Sequence, residues 1–153
     1  MLPRQIVKSA LEHEINVIAI TDHNASQNAA AVMSVGEEQG LLVLPGMELE
    51  TSEEIHSLCL FDSLEQLQSL QAIVDRCLPD QPNDEDFLGP QVIVDADGNC
   101  LAQEQRMLLA PVQISIQQAF RLVTDLGGLF IPAHVNREAF GLLPRLGCVP
   151  PDL

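Results

Sequence analysis

Three histidines and two carboxylates fall at the ends of predicted strands in this chain: Asp22 with His23, then Glu48, His56 and His134. The chain holds only four histidines in 153 residues, so three of them beside apolar β-like runs is a pattern that composition alone does not produce. Imidazole and carboxylate side chains together suit zinc, manganese or iron, whereas a calcium site would use oxygen ligands almost throughout. A cation held in that way activates water, so the grouping points to hydrolysis. Glu48 and His56 lie eight residues apart, which is not a helical ligand spacing, so each must reach the site from its own strand end. A glutamate between two cations can bridge them, and cations about 3.5–4 Å apart hold both the attacking and the leaving oxygen of a phosphoester. Glu48 is the candidate bridge.

Each residue also has a plainer reading. A lone histidine beside an apolar run is more often hydrogen-bonded structure than a ligand, and Asp22 by itself could cap the following helix. Glu48 has Glu50, Glu53 and Glu54 for neighbours and could belong to a solvated acidic turn. Taken together, the recurrence at strand ends favours ligands. His13 lies between Glu12 and Glu14 on a predicted helix and reads as surface. Arg137 comes three residues after His134 in a chain with 7 basic residues. It could grip a phosphate through bidentate hydrogen bonds or form an ordinary salt bridge, and both readings stay open.

The elements that must position these groups alternate between helix and strand. A helix is predicted from Pro3, ending near Asn16, which tolerates a left-handed cap. Val17 to Thr21 is a β-branched apolar run with the look of a strand covered on both faces. A helix from about Ser26 to Gln39 is closed by Gly40, and a strand follows over Leu41 to Leu44, before Pro45-Gly46. Ile55 to Phe61 reads as another strand. Ser63 with Gln66 forms a capping box for a helix that Pro79 ends, and Ser115 with Gln118 forms a second, with Ile114 and Ala119 as its hydrophobic staple and Gly127-Gly128 as its end. Between those helices, residues 79–90 are rich in Pro, Asp and Asn and predict an exposed loop, and 91–103 a hairpin turning at Asp97-Gly98. Asp95 and Asp97 superficially suggest a calcium loop, but the glycine comes too early and the distal glutamate is missing. Leu129 to Ala133 is the last predicted strand. The alternation implies a mostly parallel sheet, with the candidate ligands at one edge, as in α/β barrels.

Composition narrows the class. A hydrophobic content of 46% against 19% charged residues predicts a single folded domain. The net charge of −15 repels phosphate backbones, and with five Phe but no Trp or Tyr the chain lacks platforms for stacking bases, so nucleic-acid binding is disfavoured twice. Cys59, Cys77, Cys100 and Cys148 are widely spaced, without a Cys-x-x-Cys pair, and read as reduced thiols of a cytoplasmic protein with no signal peptide. No apolar run approaches the roughly 18 residues needed to span a bilayer, so no membrane partner is expected.

The segments ITDHN (Ile20 to Asn24), PGMELET (Pro45 to Thr51) with IHSLCLF (Ile55 to Phe61), and PAHVNR (Pro132 to Arg137) resemble, in order and spacing, three successive motifs of the polymerase and histidinol phosphatase (PHP) family. That resemblance implies a distorted (β/α)7 TIM-like barrel whose strand ends hold two or three divalent metal ions, with a small inserted loop and hairpin at about 79–103. The family includes phosphatases, phosphoesterases, exonucleases and a polymerase domain. By resemblance, Glu48 is the bridging ligand, His56 and His134 serve one ion, His23 serves another, and Asp22 orients or assists that histidine.

The chain departs from the family pattern at both ends, because the opening His-x-His and closing Asp-x-His motifs do not occur. The resemblance therefore implies a single partial PHP domain over 1–153, the interior of a longer protein, with ligands for at most one complete ion site and a barrel that cannot close. Open sheet edges would then favour self-association. The expected function is metal-dependent hydrolysis of a small phosphate ester or nucleotide, with Arg137 holding phosphate. A non-catalytic PHP-like scaffold is the alternative, and a proofreading nuclease is disfavoured by the acidic, aromatic-poor composition.

Overall fold

The computed structural model describes residues 1–153. Helix α1 (Pro3–Glu12) starts on a proline, whose missing N–H is no loss in a first turn, and Gln5 Oε1 accepts from the Leu2 N–H at 3.1 Å. The left-handed residue after it is Glu14 (φ 58) rather than the expected Asn16. The reason lies in the carbonyls left open by the last turn: Glu14 N–H returns to Leu11 O and Ile15 N–H to Ala10 O, so the reversal is complete two residues early.

Strand β1 (Val17–Ile20) is an outer strand of the sheet, and Val17 is half-exposed, so the expectation of a strand covered on both faces is corrected. Helix α2 (Ala29–Gln39) starts three residues later than predicted, because Asn24 and its neighbours are taken up by the contacts described below. Gly40 (φ 77) ends it as expected. Strand β2 (Leu42–Glu50) is longer than predicted, because its two halves serve different neighbours. Leu42 to Pro45 pairs in parallel with β1, and Gly46 to Glu50 pairs antiparallel with β3 (His56–Leu60). The Pro45-Gly46 pair that seemed to end a strand sits where the partner changes.

The link from β2 to β3 is short enough to make only a hairpin, which forces the antiparallel pairing. Strand β6 (Leu129–Pro132) then pairs antiparallel with β3, giving the order β1-β2-β3-β6. The sheet is mixed, not mostly parallel, and it is open: no barrel closes. His56 begins its strand instead of following it, yet β3 runs opposite to β1, β2 and β6, so its start lies at the edge where those strands end.

Register separates the two faces. Val43, Met47, Leu49 and Cys59 share one face and join Val7 of α1, Val32 and Val35 of α2, Leu67, Leu70 and Val74 of α3 (Leu64–Cys77), and Ala119 and Val123 of α5 (Ile116–Asp125) in one core. Gly36 lets α2 approach: a Cβ there would lie 2.5 Å from Val43 Cγ2 and 2.8 Å from Leu41 O. Both predicted capping boxes form, on Ser63 and on Ser115. The opposite face carries Glu48, Glu50 and His56 at one edge and Leu58, Leu60, Leu129 and Ile131 further down.

The predicted hairpin forms from β4 (Gln91–Val94) and β5 (Cys100–Glu104) as a sheet of its own. A one-turn helix, α4 (Glu85–Leu88), interrupts the expected loop because Asp84 accepts from the Phe87 N–H at 3.2 Å. The Asn28 side chain stands in for a neighbouring strand, donating to Val92 O at 3.2 Å and accepting from Val94 N at 3.0 Å. Arg106 ties the far end to α3 by pairing with Asp75 and Glu104. After β6 the chain folds back over the ligand-bearing face and ends in α6 (Leu142–Leu146), which was not predicted. No helix is long and apolar enough to cross a membrane, and all four cysteines are free thiols.

Candidate metal centre

Parallel pairing between β1 and β2 continues past the end of β1 as a single bridge between His23 and Glu48. Glu48 N–H donates to Asp22 O at 3.1 Å and Asn24 N–H donates to Glu48 O at 3.0 Å, so the first predicted ligand is held beside the second by main-chain bonds. Asn24, in the left-handed region (φ 49), is fully buried. Its Nδ2 donates to Leu108 O at 2.9 Å and Ala110 O at 3.0 Å, and its Oδ1 accepts from Glu50 N at 3.0 Å. On the other side His56 stands opposite Glu50, donates its N–H to Phe140 O at 3.1 Å and accepts from Ala133 N at 2.9 Å. That last bond brings His134 (φ 31) over the edge.

The four predicted ligands converge. Glu48 Oε1 lies 3.1 Å from His56 Nδ1 and 3.8 Å from His134 Nε2, and Oε2 lies 4.0 Å from His23 Nε2. Ligand atoms of His23, Glu48 and His56 are all within 4.8 Å of one another. The His56 ring is sandwiched in place by Phe140, stacked at 4.3 Å and 12°, with the His23 and His134 rings at 4.8 and 5.3 Å.

Nitrogens bonded to zinc at 2.0–2.1 Å sit about 3.3 Å apart in a tetrahedron, so the spacing of Glu48 and His56 suits shared coordination. The far nitrogens, His23 Nδ1, His56 Nε2 and His134 Nδ1, are buried without a hydrogen-bond partner, which is uncommon for polar atoms inside a protein. Donor chemistry and the spacing of the nitrogens that face Glu48 together fit a divalent cation, and the far nitrogens are left for partners outside it.

Burial, and next the charge of His23, lower the His56 pKa, with Glu48 acting the other way. A neutral ring is the form that ligates. Burial also pushes the Glu50 carboxyl up to about 7, helped by Glu54 and Glu48 and opposed by Arg145. The solvated acidic turn does not exist as such: Glu50 is buried, Glu53 accepts from Ile116 N at the start of α5, and Glu54 pairs with Arg145.

Asp22 is exposed and accepts from Asn28 Nδ2 at 3.5 Å, with no hydrogen bond to His23. It and His23 border a cleft of about 690 Å³ between α1, the end of β1 and β4. Arg137 is exposed and forms no salt bridge; its N–H donates to His134 O at 2.8 Å. His13 is on the surface, its Nδ1 2.8 Å from Ser9 O and remote from the cluster. Asp95 spends its oxygens on Asp97 N, Asn99 N and Asn99 Nδ2, closing the hairpin turn.

Sequence reasoning missed Asn24, Glu50 and Phe140. A period-two count from Glu48 would have placed Glu50 on the same strand face, and Asn24 follows a strand where a left-handed residue is tolerated. Phe140 carries no local signal, because it arrives through the fold-back after β6.

No family model matches the chain, and no curated protein matches it. Among solved structures it is similar to a crystal structure of a provisionally named metal-dependent phosphoesterase from Bifidobacterium adolescentis ATCC 15703. The TM-score is 0.60 at 20% identity, over 90% of this chain and 63% of that one, so the chain spans less than two thirds of its neighbour's length. At that identity the likeness is one of fold.

Proposed function

We propose that this chain is a metal-dependent phosphoesterase domain of PHP type, a partial domain over 1–153, acting on a small phosphate ester or nucleotide in the cytoplasm. The observation that carries the reading is the division of three imidazoles between the two oxygens of one carboxylate, with His56 and His134 facing Glu48 Oε1 and His23 facing Oε2. That is the pattern of a bridging ligand, and it supports His23, Glu48, His56 and His134 as the metal set. Similarity of fold to a provisionally named phosphoesterase agrees with it.

Zinc, manganese or iron bound there would supply Lewis acidity, neutralising phosphate charge and acidifying water. The chain's own residues do the rest. Glu48 places its two oxygens among three imidazole rings, and Phe140 fixes the plane of His56. Arg137, free of carboxylate partners and tied by its backbone to His134, is the side chain assigned to hold phosphate. Asp22, which lines the same cleft as His23, is assigned to assist that histidine from beside it. The acidic composition argues against nucleic acid as substrate.

A second reading, a scaffold that binds metal without turnover, is favoured by one observation: the cluster supplies donors for about one ion. Elemental analysis and hydrolysis of a generic phosphomonoester with added Mn2+ or Zn2+ separate the two. Bound metal with turnover that falls at least 100-fold in Glu48→Gln is expected, since even residues that only support a ligand cost about 10–100-fold. Bound metal without turnover selects the scaffold, and unchanged turnover in Glu48→Gln removes Glu48 from the site.

A further inference from the structure

We infer that Glu50 is the positioning residue for His56, the carboxylate that fixes which imidazole nitrogen carries the proton and leaves the other free to bind the cation. The inference rests on the metal reading above and goes beyond its ligand set. His56 Nδ1 faces Glu48 Oε1 at 3.1 Å, where the cluster converges. The two nitrogens of an imidazole point away from each other, so Nε2 cannot serve the same ion. It is buried without a hydrogen-bond partner, and the one acidic oxygen facing it is Glu50 Oε2, at 3.6 Å.

The Glu50 carboxylate has no other ion-pair partner, and its side chain is 5% exposed, so water does not compete for it. Its place is set rigidly. Register pairs Glu50 with His56 across the β2–β3 hairpin, and the Glu50 N–H is held by buried Asn24 at 3.0 Å. Stacking on Phe140 leaves the ring no freedom to tip, so closing 3.6 Å to a hydrogen bond takes only a small side-chain adjustment of Glu50. A carboxylate accepting from the far N–H orients a metal-binding histidine and raises its basicity.

The test is Zn2+ titration of the wild type, Glu50→Ala and Glu50→Gln by calorimetry, together with long-range 1H–15N spectra of 15N-histidine protein. Expected are a 10–100-fold loss of Zn2+ affinity in Glu50→Ala, recovery of most of it in Glu50→Gln, whose amide oxygen still accepts, and a proton on His56 Nε2 in the Zn2+-loaded wild type. Unchanged affinity in Glu50→Ala, or a His56 protonated on Nδ1, overturns the inference and leaves the metal reading standing. Should Glu50→Ala not fold, the wild-type His56 spectrum decides. A wild type that binds no Zn2+ overturns both.

Discussion

At the scale of single residues, the site depends on side chains that never touch its centre. Asn24 is the strongest case. Its amide links the segment after β1 to Leu108, Ala110 and Glu50, and its main chain bonds Glu48, so one residue sets the height of His23, Glu48 and Glu50 together. Three side-chain hydrogen bonds at about 1 kcal/mol each, with buried groups left unpaired when they go, make Asn24→Ala costly by about 3 kcal/mol. The left-handed backbone (φ 49) adds to this, since asparagine visits that region more readily than alanine. Urea unfolding of the chelated protein checks the stability, and Zn2+ affinity should fall as well, because His23 loses its fixed neighbour. A variant as stable as the wild type would mean that water replaces the amide. None of this was legible beforehand. An asparagine beside a histidine reads as a turn residue until the 108–110 segment is known to pass over it.

At the scale of elements, the ligand residues were legible and their geometry was not. Strand ends at His23 and His134 follow from apolar runs, which local patterning reveals. Glu48 and His56 belong instead to a hairpin that the Pro45-Gly46 pair disguised, since a proline in a run looks like a strand end when the change of partner is unseen. The mixed order of the sheet follows from that one hairpin. Gly36 shows the same limit from the helix side: locally it is a weak helix former, and only the packing of α2 on Val43 explains it. Gly36→Ala gains up to about 1 kcal/mol of helix propensity. The new methyl meets Val43 Cγ2 at 2.5 Å and the main-chain oxygen of Leu41 at 2.8 Å, and the backbone cannot step aside. Overpacking of this kind costs about 1–3 kcal/mol, so a net loss is expected, read as a lower urea midpoint at unchanged slope. If the midpoint rises, α2 sits further from the sheet than the structure places it.

At the scale of the whole molecule, two opposing features act on the uncovered side of the sheet. Helices bury one face, while the other continues from the metal cluster into Leu58, Leu60, Leu129 and Ile131, with Leu129 58% and Ile131 38% exposed on the outer strand β6. An outer strand with an apolar row offers unpaired backbone groups to another chain. The net charge of −15 holds copies apart, but charges exposed to water are screened within about 10 Å at 0.1 M salt and about 3 Å at 1 M. Association should therefore rise with salt, the opposite of a contact made by ion pairs. Light scattering over a concentration series is expected to give the monomer mass at low ionic strength and a growing mass as NaCl approaches 1 M. Replacing Leu129 and Ile131 together by lysine puts charge on the strand and should abolish the rise. A monomer at every salt concentration would show that the charge outweighs the apolar row throughout, and a double variant that still associates would move the contact to β1, where Val17 and its register partner Leu42 are also exposed.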